Sequence, residues 1–136
     1  MIEIIADRHN LEDYFECVES LMNDGTKSDY KTALSKVLFR SNNYLVYVYI
    51  RYGRIIATGS IMFEHKIRYD EPKGYIEDIA VHPKYRGKGY GKKMVEHLIS
   101  CCKKRNCYKI VLTCTDDLID YYKSLGFNKD VNFMVQ

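Results

Sequence analysis

Apolar and polar positions along this chain repeat in two periods, and the switches between them mark out its elements. Met1–Ile5 alternates weakly and predicts a short first strand. A helical pattern runs from Leu11 to Met22, with Asn10 placed to cap it and Glu12 and Asp13 in an acidic first turn. After Asn23-Asp24-Gly25, Ser28 opens a second helical pattern whose apolar stripe is Tyr30, Ala33, Leu34, Val37 and Leu38. Tyr44–Ile50 (YLVYVYI) is rich in β-branched and aromatic residues, and Arg51-Tyr52-Gly53-Arg54 reads as a hairpin turn into a strand over Ile55–Glu64.

The polar stretch Lys66–Gly74 (KIRYDEPKG) predicts a loop, and Tyr75–Val81 (YIEDIAV) the next strand. A helix is expected from near Gly89, with Met94, Val95, Leu98, Ile99 and Cys102 on one face. Lys109–Cys114 (KIVLTC) predicts a strand. Thr115 is placed to cap a short helix, Asp116–Leu125, which Gly126 would end. Phe127 and Val131–Val135 supply a last extended segment. The predicted order is β-α-α-β-β-β-α-β-α-β, with no repeats, low-complexity tracts or linkers, so a single domain over residues 1–136 is expected.

The junction between the sixth and seventh elements carries the chemistry. His82 to Gly91 (HPKYRGKGYG) is a glycine-rich, cationic strand-to-helix turn. Such a turn aims backbone N–H groups and the positive end of a helix dipole at one point, which suits a phosphorylated ligand. A dinucleotide fingerprint is excluded, because after Gly87 and Gly89 the third glycine falls at Gly91, one residue early. A Walker loop is excluded too: Lys93 follows Gly91-Lys92 where Ser or Thr is needed, and Arg86 stands at its first glycine.

Composition narrows the setting. The 136 residues are 46% hydrophobic, ordinary for a globular protein, and no apolar run approaches the roughly 20 residues of a membrane span. The acidic N-terminus is unlike a signal peptide, so a soluble, cytoplasmic protein is expected. A net charge of +3 does not by itself imply nucleic acid. Its distribution matters more, since Lys84, Arg86, Lys88, Lys92 and Lys93 crowd the glycine turn, while Lys103, Lys104 and Arg105 suit a helix C-terminus. Five cysteines without a zinc-type pair, and four scattered histidines, point to reduced thiols and to no metal site.

The residues Arg86-Gly87-Lys88-Gly89-Tyr90-Gly91 form an R-x-x-G-x-G/A pattern that resembles the acetyl-CoA pyrophosphate loop of the GNAT superfamily of N-acetyltransferases. The resemblance implies an α/β fold, the GNAT acyl-CoA N-acyltransferase fold, with a mixed, mostly antiparallel sheet flanked by helices. From about Gly59 to Met134 the chain is similar to one branch, the glucosamine-6-phosphate N-acetyltransferases. Gly74–Val81, Asn106-Cys107-Tyr108-Lys109-Ile110 and Tyr121-Tyr122-Lys123-Ser124-Leu125-Gly126-Phe127 carry that likeness. It implies acetyl transfer from acetyl-CoA, with no metal, to the amine of glucosamine 6-phosphate within a ternary complex. N-acetylglucosamine 6-phosphate, a precursor of UDP-N-acetylglucosamine, and CoA would be the products. A homodimer and a small-molecule substrate are implied, with neither nucleic acid nor membrane as partner.

The same resemblance assigns residues. Ile79, Ala80 and Val81 would flank the thioester, with a backbone N–H polarising its carbonyl. Arg86, Gly87, Lys88, Gly89, Tyr90, Gly91 and Lys92 would hold the pyrophosphate, and Tyr122, Lys123 and Ser124 would complete the cofactor site. Lys66, Ile67, Arg68, Tyr69, Glu77, Asp78, Ile79, Tyr108 and Lys109 would meet the sugar phosphate. Strand periodicity alone puts Glu77 with Tyr75, Ile79 and Val81 on one face and Asp78 with Ile76 and Ala80 on the other. By themselves these acids also suit an edge strand facing solvent or a lysine, and each cation a solvated surface.

Tyr122 is the catalytic candidate. A phenol of ordinary pKa ~10 stays protonated at neutral pH and can donate to a leaving thiolate. Thirteen tyrosines make a plain core aromatic the competing reading. Tyr121, adjacent on a helix, should face another way.

Three positions depart from the branch. Thr113 stands where relatives carry an acid, which leaves a backbone carbonyl, water or Glu77 as base. Met22 replaces a substrate-contacting threonine, and the sequence ends at Gln136, just short of a phosphate-binding arginine. Acetyl transfer to another small amine or to a protein amine remains the alternative. A nucleic-acid module is disfavoured, since Tyr85 and Tyr90 are too few for a stacking platform.

Overall fold

The computed structural model describes residues 1–6, 9–21, 32, 42–131 and 134–136. Its strands are β1 (Ile2–Ile4), β2 (Tyr44–Arg51), β3 (Arg54–Lys66), β4 (Glu71–Val81) and β5 (Lys109–Val111), and its helices α1 (Leu11–Val18), α2 (Tyr90–Lys104) and α3 (Ile119–Ser124). The sheet runs β1-β2-β3-β4-β5 in chain order. Every neighbouring pair is antiparallel except β4 and β5, which are parallel because α2 crosses over between them.

Of the expected elements that fall on described residues, all but the last strand form, with altered limits. Asn10 caps α1 by accepting from the Glu12 N–H at 3.1 Å, but the helix ends at Val18 and tightens into a 3₁₀ turn, Glu19–Leu21. The expected helix after Ser28, and Met22, lie outside the described residues. Thr115 does precede a helical stretch, yet its side chain makes no cap bond; a 3₁₀ turn, Asp116–Leu118, leads into α3. β5 is three residues long, shorter than Lys109–Cys114. The final extended segment pairs with no strand among the described residues, and Val131, Met134 and Val135 are exposed.

The predicted Lys66–Gly74 loop is a correction. β3 runs on to Lys66, β4 starts at Glu71, and the connection shrinks to residues 67–70, with Asp70 at φ 52°. The polar residues there are cross-strand partners. Glu64 stands opposite Lys73 in register and the two side chains pair at 3.2 Å, so charge stabilises a strand where polarity suggested a loop.

Apolar side chains fill both faces of the sheet. α2 covers one with Met94, Leu98 and Cys102 packed on Ile56, Ile61, Phe63 and Ile76. It sits close because two strand positions lack a side chain. A Cβ on Gly59 would come within 2.6 Å of Ile79 Cδ1 and 2.9 Å of Leu98 Cδ1, and one on Gly74 within 2.6 Å of Cys102 Sγ. α1 lies on the other face with Cys17 among Val46, Val48, Ile55 and Ala80. It is tied down by buried Asp13, which accepts from Arg54 Nε at 3.0 Å and Nη2 at 2.6 Å.

Candidate active site

The β3–β4 register slips between Thr58, opposite Ala80, and Ser60, opposite Glu77. One extra residue on β4 is thereby left over, a β-bulge at Asp78, whose φ is 51°. The bulge breaks the strand's alternation. Ile76, Ile79 and Val81 pack towards α2, whereas Ala80 packs towards α1. Glu77 and Asp78 therefore do not face opposite ways, as strict alternation requires. They stand beside each other, and each bears electrostatically on Tyr44.

Both carboxyls are open to solvent on one side and backed by protein on the other. Burial raises each above the usual carboxylate range; Glu77 is raised further by its neighbour, and Asp78 is held back by a hydrogen bond from Tyr44. Tyr44 Oη also lies 3.2 Å from Ser60 Oγ, and Ser60 Oγ donates to the Glu77 carbonyl at 3.2 Å. Tyr14 on α1 lies near enough to Asp78 for its own pKa to be raised, by burial first and then by Tyr44 and Asp78. Tyr14, Tyr44 and Ser60 escaped the sequence reading. Nothing in local spacing marks them; strand register brings Tyr44 and Ser60 to the bulge, and the packing of α1 brings Tyr14.

β4 leads into the glycine turn. His82, buried, accepts from the Lys84 N–H at 3.2 Å through Nδ1 and meets Glu16 of α1 at 2.8 Å through Nε2, which anchors the turn's entry. Gly87 and Gly89 have φ of 73° and 80°, which only glycine adopts cheaply, and open space lies where their side chains would be. Gly89 is the N-cap of α2 and provides no side-chain bond, so the first N–H groups of the helix keep their capacity for an external acceptor. Arg86 is braced by its Nε–H bond to the Val81 carbonyl at 3.1 Å, and Lys88 rides over the Tyr85 ring at 5.6 Å. Lys92 pairs loosely with Glu96 at 3.9 Å. Open glycines, an uncapped helix and adjacent cations together fit a pyrophosphate. Tyr90 differs from its neighbours: its side chain is buried and accepts from Arg51 at 2.9 Å, so its backbone alone faces the turn.

The two tyrosine rings of α3 meet edge to face with centroids 5.0 Å apart, yet each also reaches a different neighbour. Tyr121 Oη lies 3.4 Å from where a Gly91 side chain would begin, beside Val81 Cγ2 at 3.5 Å. Tyr122 faces β5 instead, edge-on to Phe127 with ring centroids 6.0 Å apart. It opens onto a cleft of about 570 Å³, shared with Leu112, Thr113, Cys114 and Lys123. Burial first, then Tyr121 and Cys114, raises the Tyr122 pKa, so its phenol is protonated at neutral pH. Neither the glycine turn nor the two bulge acids line this cleft. Ser124 Oγ donates to the Tyr121 carbonyl at 2.6 Å, a contact within its own helix.

The remaining substrate candidates gather elsewhere. Arg68 donates to Tyr69 Oη at 3.0 Å, and the Tyr69 ring stacks on Tyr108 with centroids 4.2 Å apart. Lys109 follows Tyr108 but pairs with Asp130, and Lys66 pairs with Glu64. Ile67 is 95% exposed at the turn tip. Lys109 stands opposite Lys73, four residues before Glu77 on β4, so this cluster starts about 13 Å along the strand from the bulge.

Comparison with known proteins agrees with the geometry. The model of the Acetyltransferase (GNAT) family matches residues 9–127. A glucosamine 6-phosphate N-acetyltransferase of Dictyostelium discoideum is 33% identical over 120 residues, covering 85% of this chain and 76% of that protein. Its counterpart from Arabidopsis thaliana is 43% identical over 81 residues, 58% of this chain; the match spans about half, 54%, of that relative. A crystal structure of the Arabidopsis glucosamine-6-phosphate N-acetyltransferase superposes with a TM-score of 0.82 at 28% identity, covering 100% of this chain and 96% of that one.

Proposed function

This chain belongs to the acetyltransferase (GNAT) family, and we propose that it transfers the acetyl group of acetyl-CoA to the amine of glucosamine 6-phosphate. The observation that carries the reading is the continuity of one strand. β4 bears the paired acids at its bulge and runs directly into the uncapped, cationic glycine turn of α2. Acceptor and donor sites thus lie on a single rigid element. Relatives that carry the glucosamine 6-phosphate N-acetyltransferase name support the choice of acceptor.

Acetyl-CoA supplies the activated thioester. Arg86, Lys88, Lys92 and the first N–H groups of α2 hold its pyrophosphate, and Gly87 and Gly89 admit the close approach. Backbone N–H groups between Ile79 and Val81, just past the bulge, donate to the thioester carbonyl; donors of this kind contribute about 3 kcal/mol in a transition state. Glu77 and Asp78 receive the amino sugar, their raised pKa values leaving them ready to accept a proton. Tyr122, protonated, donates to the departing sulfur.

The basic cluster at Arg68, Tyr108 and Lys109 lies well along β4 from the acids. We therefore assign it to the phosphate of a substrate bound at a second copy's bulge, in a homodimer. One observation favours a second reading, another small amine as acceptor: Lys66 and Lys109 are engaged by Glu64 and Asp130.

CoA-thiol release with glucosamine 6-phosphate, glucosamine and a lysine peptide tests the proposal. Saturable turnover with the sugar phosphate alone is expected. Turnover only with another amine overturns the acceptor, and absence of acetyl-CoA binding overturns the donor site.

A further inference from the structure

We propose that His82 is the positioning residue of the glycine turn: held in one tautomer by Glu16, its ring caps the short helical turn that delivers Arg86 and Lys88 to acetyl-CoA. The inference rests on the acetyl-CoA site proposed above and asks nothing of the acceptor.

β4 ends at Val81, and the chain then makes a 3₁₀ turn, Pro83–Tyr85, before it reaches Arg86. Pro83 has no N–H, so Lys84 presents the first orphan donor of that turn. The backbone serves the next two. Tyr85 N–H donates to the His82 carbonyl at 2.9 Å, and Arg86 N–H to the Pro83 carbonyl at 3.5 Å. The Lys84 N–H goes instead to His82 Nδ1 at 3.2 Å. An amide N–H only donates, so Nδ1 carries a lone pair and the ring hydrogen sits on Nε2. That hydrogen is donated to Glu16 Oε2 of α1 at 2.8 Å. Both ring nitrogens are committed, and His82 is only 6% exposed.

The choice of histidine has a chemical reason. Asn, Asp and Ser are the usual side chains that cap a helical turn. Aspartate would set a negative charge at the head of a turn proposed to hold a pyrophosphate. The neutral imidazole caps without charge, and its far nitrogen ties the turn to α1. The Glu16 charge on that side is shared with Arg54, whose Nη2 lies 3.5 Å from the same oxygen. The ring also meets Tyr85 edge-on with centroids 5.5 Å apart, and Lys88 Nζ lies 5.6 Å from the Tyr85 centroid. His82 therefore holds the turn by its backbone at Lys84 and by its side chains through Tyr85, and acts on the cofactor through them.

Calorimetry with CoA, which needs no acceptor, makes the test. His82→Ala removes the cap and is expected to weaken CoA about five-fold, raising the KM for acetyl-CoA alike and leaving kcat at saturation in place. Asparagine keeps an acceptor two bonds from Cβ, where Nδ1 stands, but is too short to carry a donor to the Nε2 position. His82→Asn is therefore expected to bind CoA within about two-fold of the wild type. Equal weakening in both variants overturns the cap, and so does unchanged affinity in His82→Ala. Glu16→Ala is expected to weaken CoA in the wild-type background and to change nothing in His82→Asn. An equal change in both backgrounds is a plain charge effect and overturns the part given to Glu16. Nitrogen-15 NMR of the free protein reads the tautomer: hydrogen on Nε2 is expected, and hydrogen on Nδ1 overturns the proposal. Should His82→Ala fail to fold, the tautomer and the Glu16→Ala pair decide. A wild type that binds no CoA overturns this proposal together with the donor site; one that binds CoA without acetylating glucosamine 6-phosphate overturns the acceptor alone.

Discussion

The Tyr121 hydroxyl closes on Gly91, 3.4 Å from the point where a side chain on that residue would begin. One tyrosine of α3 thus abuts the N-terminal end of α2, the proposed cofactor site, while its neighbour reaches β5. Gly91→Ala gains helix propensity of about 1 kcal/mol and brings its methyl group into ordinary contact with Tyr121 and Val81, beside the helix end proposed to hold the pyrophosphate. The expected result is stability within about 1 kcal/mol of wild type and a several-fold higher KM for acetyl-CoA, read by urea unfolding and steady-state kinetics. An unchanged KM would place the cofactor away from Gly91.

Tyr122 and Arg86 should fail differently. Tyr122→Phe keeps the ring against Phe127 and removes the proton, so kcat should fall on the order of 100-fold with little change in acetyl-CoA binding. Arg86→Ala should chiefly weaken acetyl-CoA, by calorimetry, with kcat at saturation nearly preserved. Equal loss of affinity in both variants would remove the distinction.

Asp78 and Glu77 link function to stability with a definite sign. Their pKa values are raised in the folded state, so the native protein binds protons more readily than the unfolded chain. Stability then declines as pH climbs from about 4 through the raised folded values. Asp78→Asn should therefore melt higher than wild type at neutral pH, with the gap closing near pH ~4, while turnover is lost. A variant that melts lower at pH 7 would contradict the cause assigned to these shifts.

Arg54 neutralises a carboxylate that is almost fully buried. Arg54→Ala strands Asp13 and should lower stability in urea unfolding, since an uncompensated buried charge remains. The double variant Asp13→Ala with Arg54→Ala should cost less than Arg54→Ala alone. If the double variant is the weaker fold, the pair contributes more than charge compensation.

Much of the glycine turn proposed to hold the cofactor was legible in the chain itself. Arg86 to Gly91 lies between a strand period and a helix period, and both its glycine torsions and its helix N-terminus are properties of a few consecutive residues. The α2 face of Met94, Leu98 and Cys102 was readable for the same reason, because helical neighbours are three or four residues apart. Polar composition misdirected the reading at Lys66–Gly74, where cross-strand charge pairing extends two strands. Asn10 starts α1 and Gly126 follows the end of α3 as expected, whereas the last strand did not form among the described residues.

The proposed acceptor end depended on tertiary structure. Alternation separates Glu77 from Asp78, and one extra residue in β4 reverses that by turning the strand at the bulge. Tyr44, Ser60 and Asp78 come from three strands, and each is an ordinary residue in its own stretch. Sequence determines which residues are polar, where glycines permit unusual torsions and which face of a helix is apolar, because those are local properties. Which hydroxyl meets which carboxylate is set by hydrogen-bond register between strands distant in the chain, where a slip of a single residue redirects every side chain beyond it.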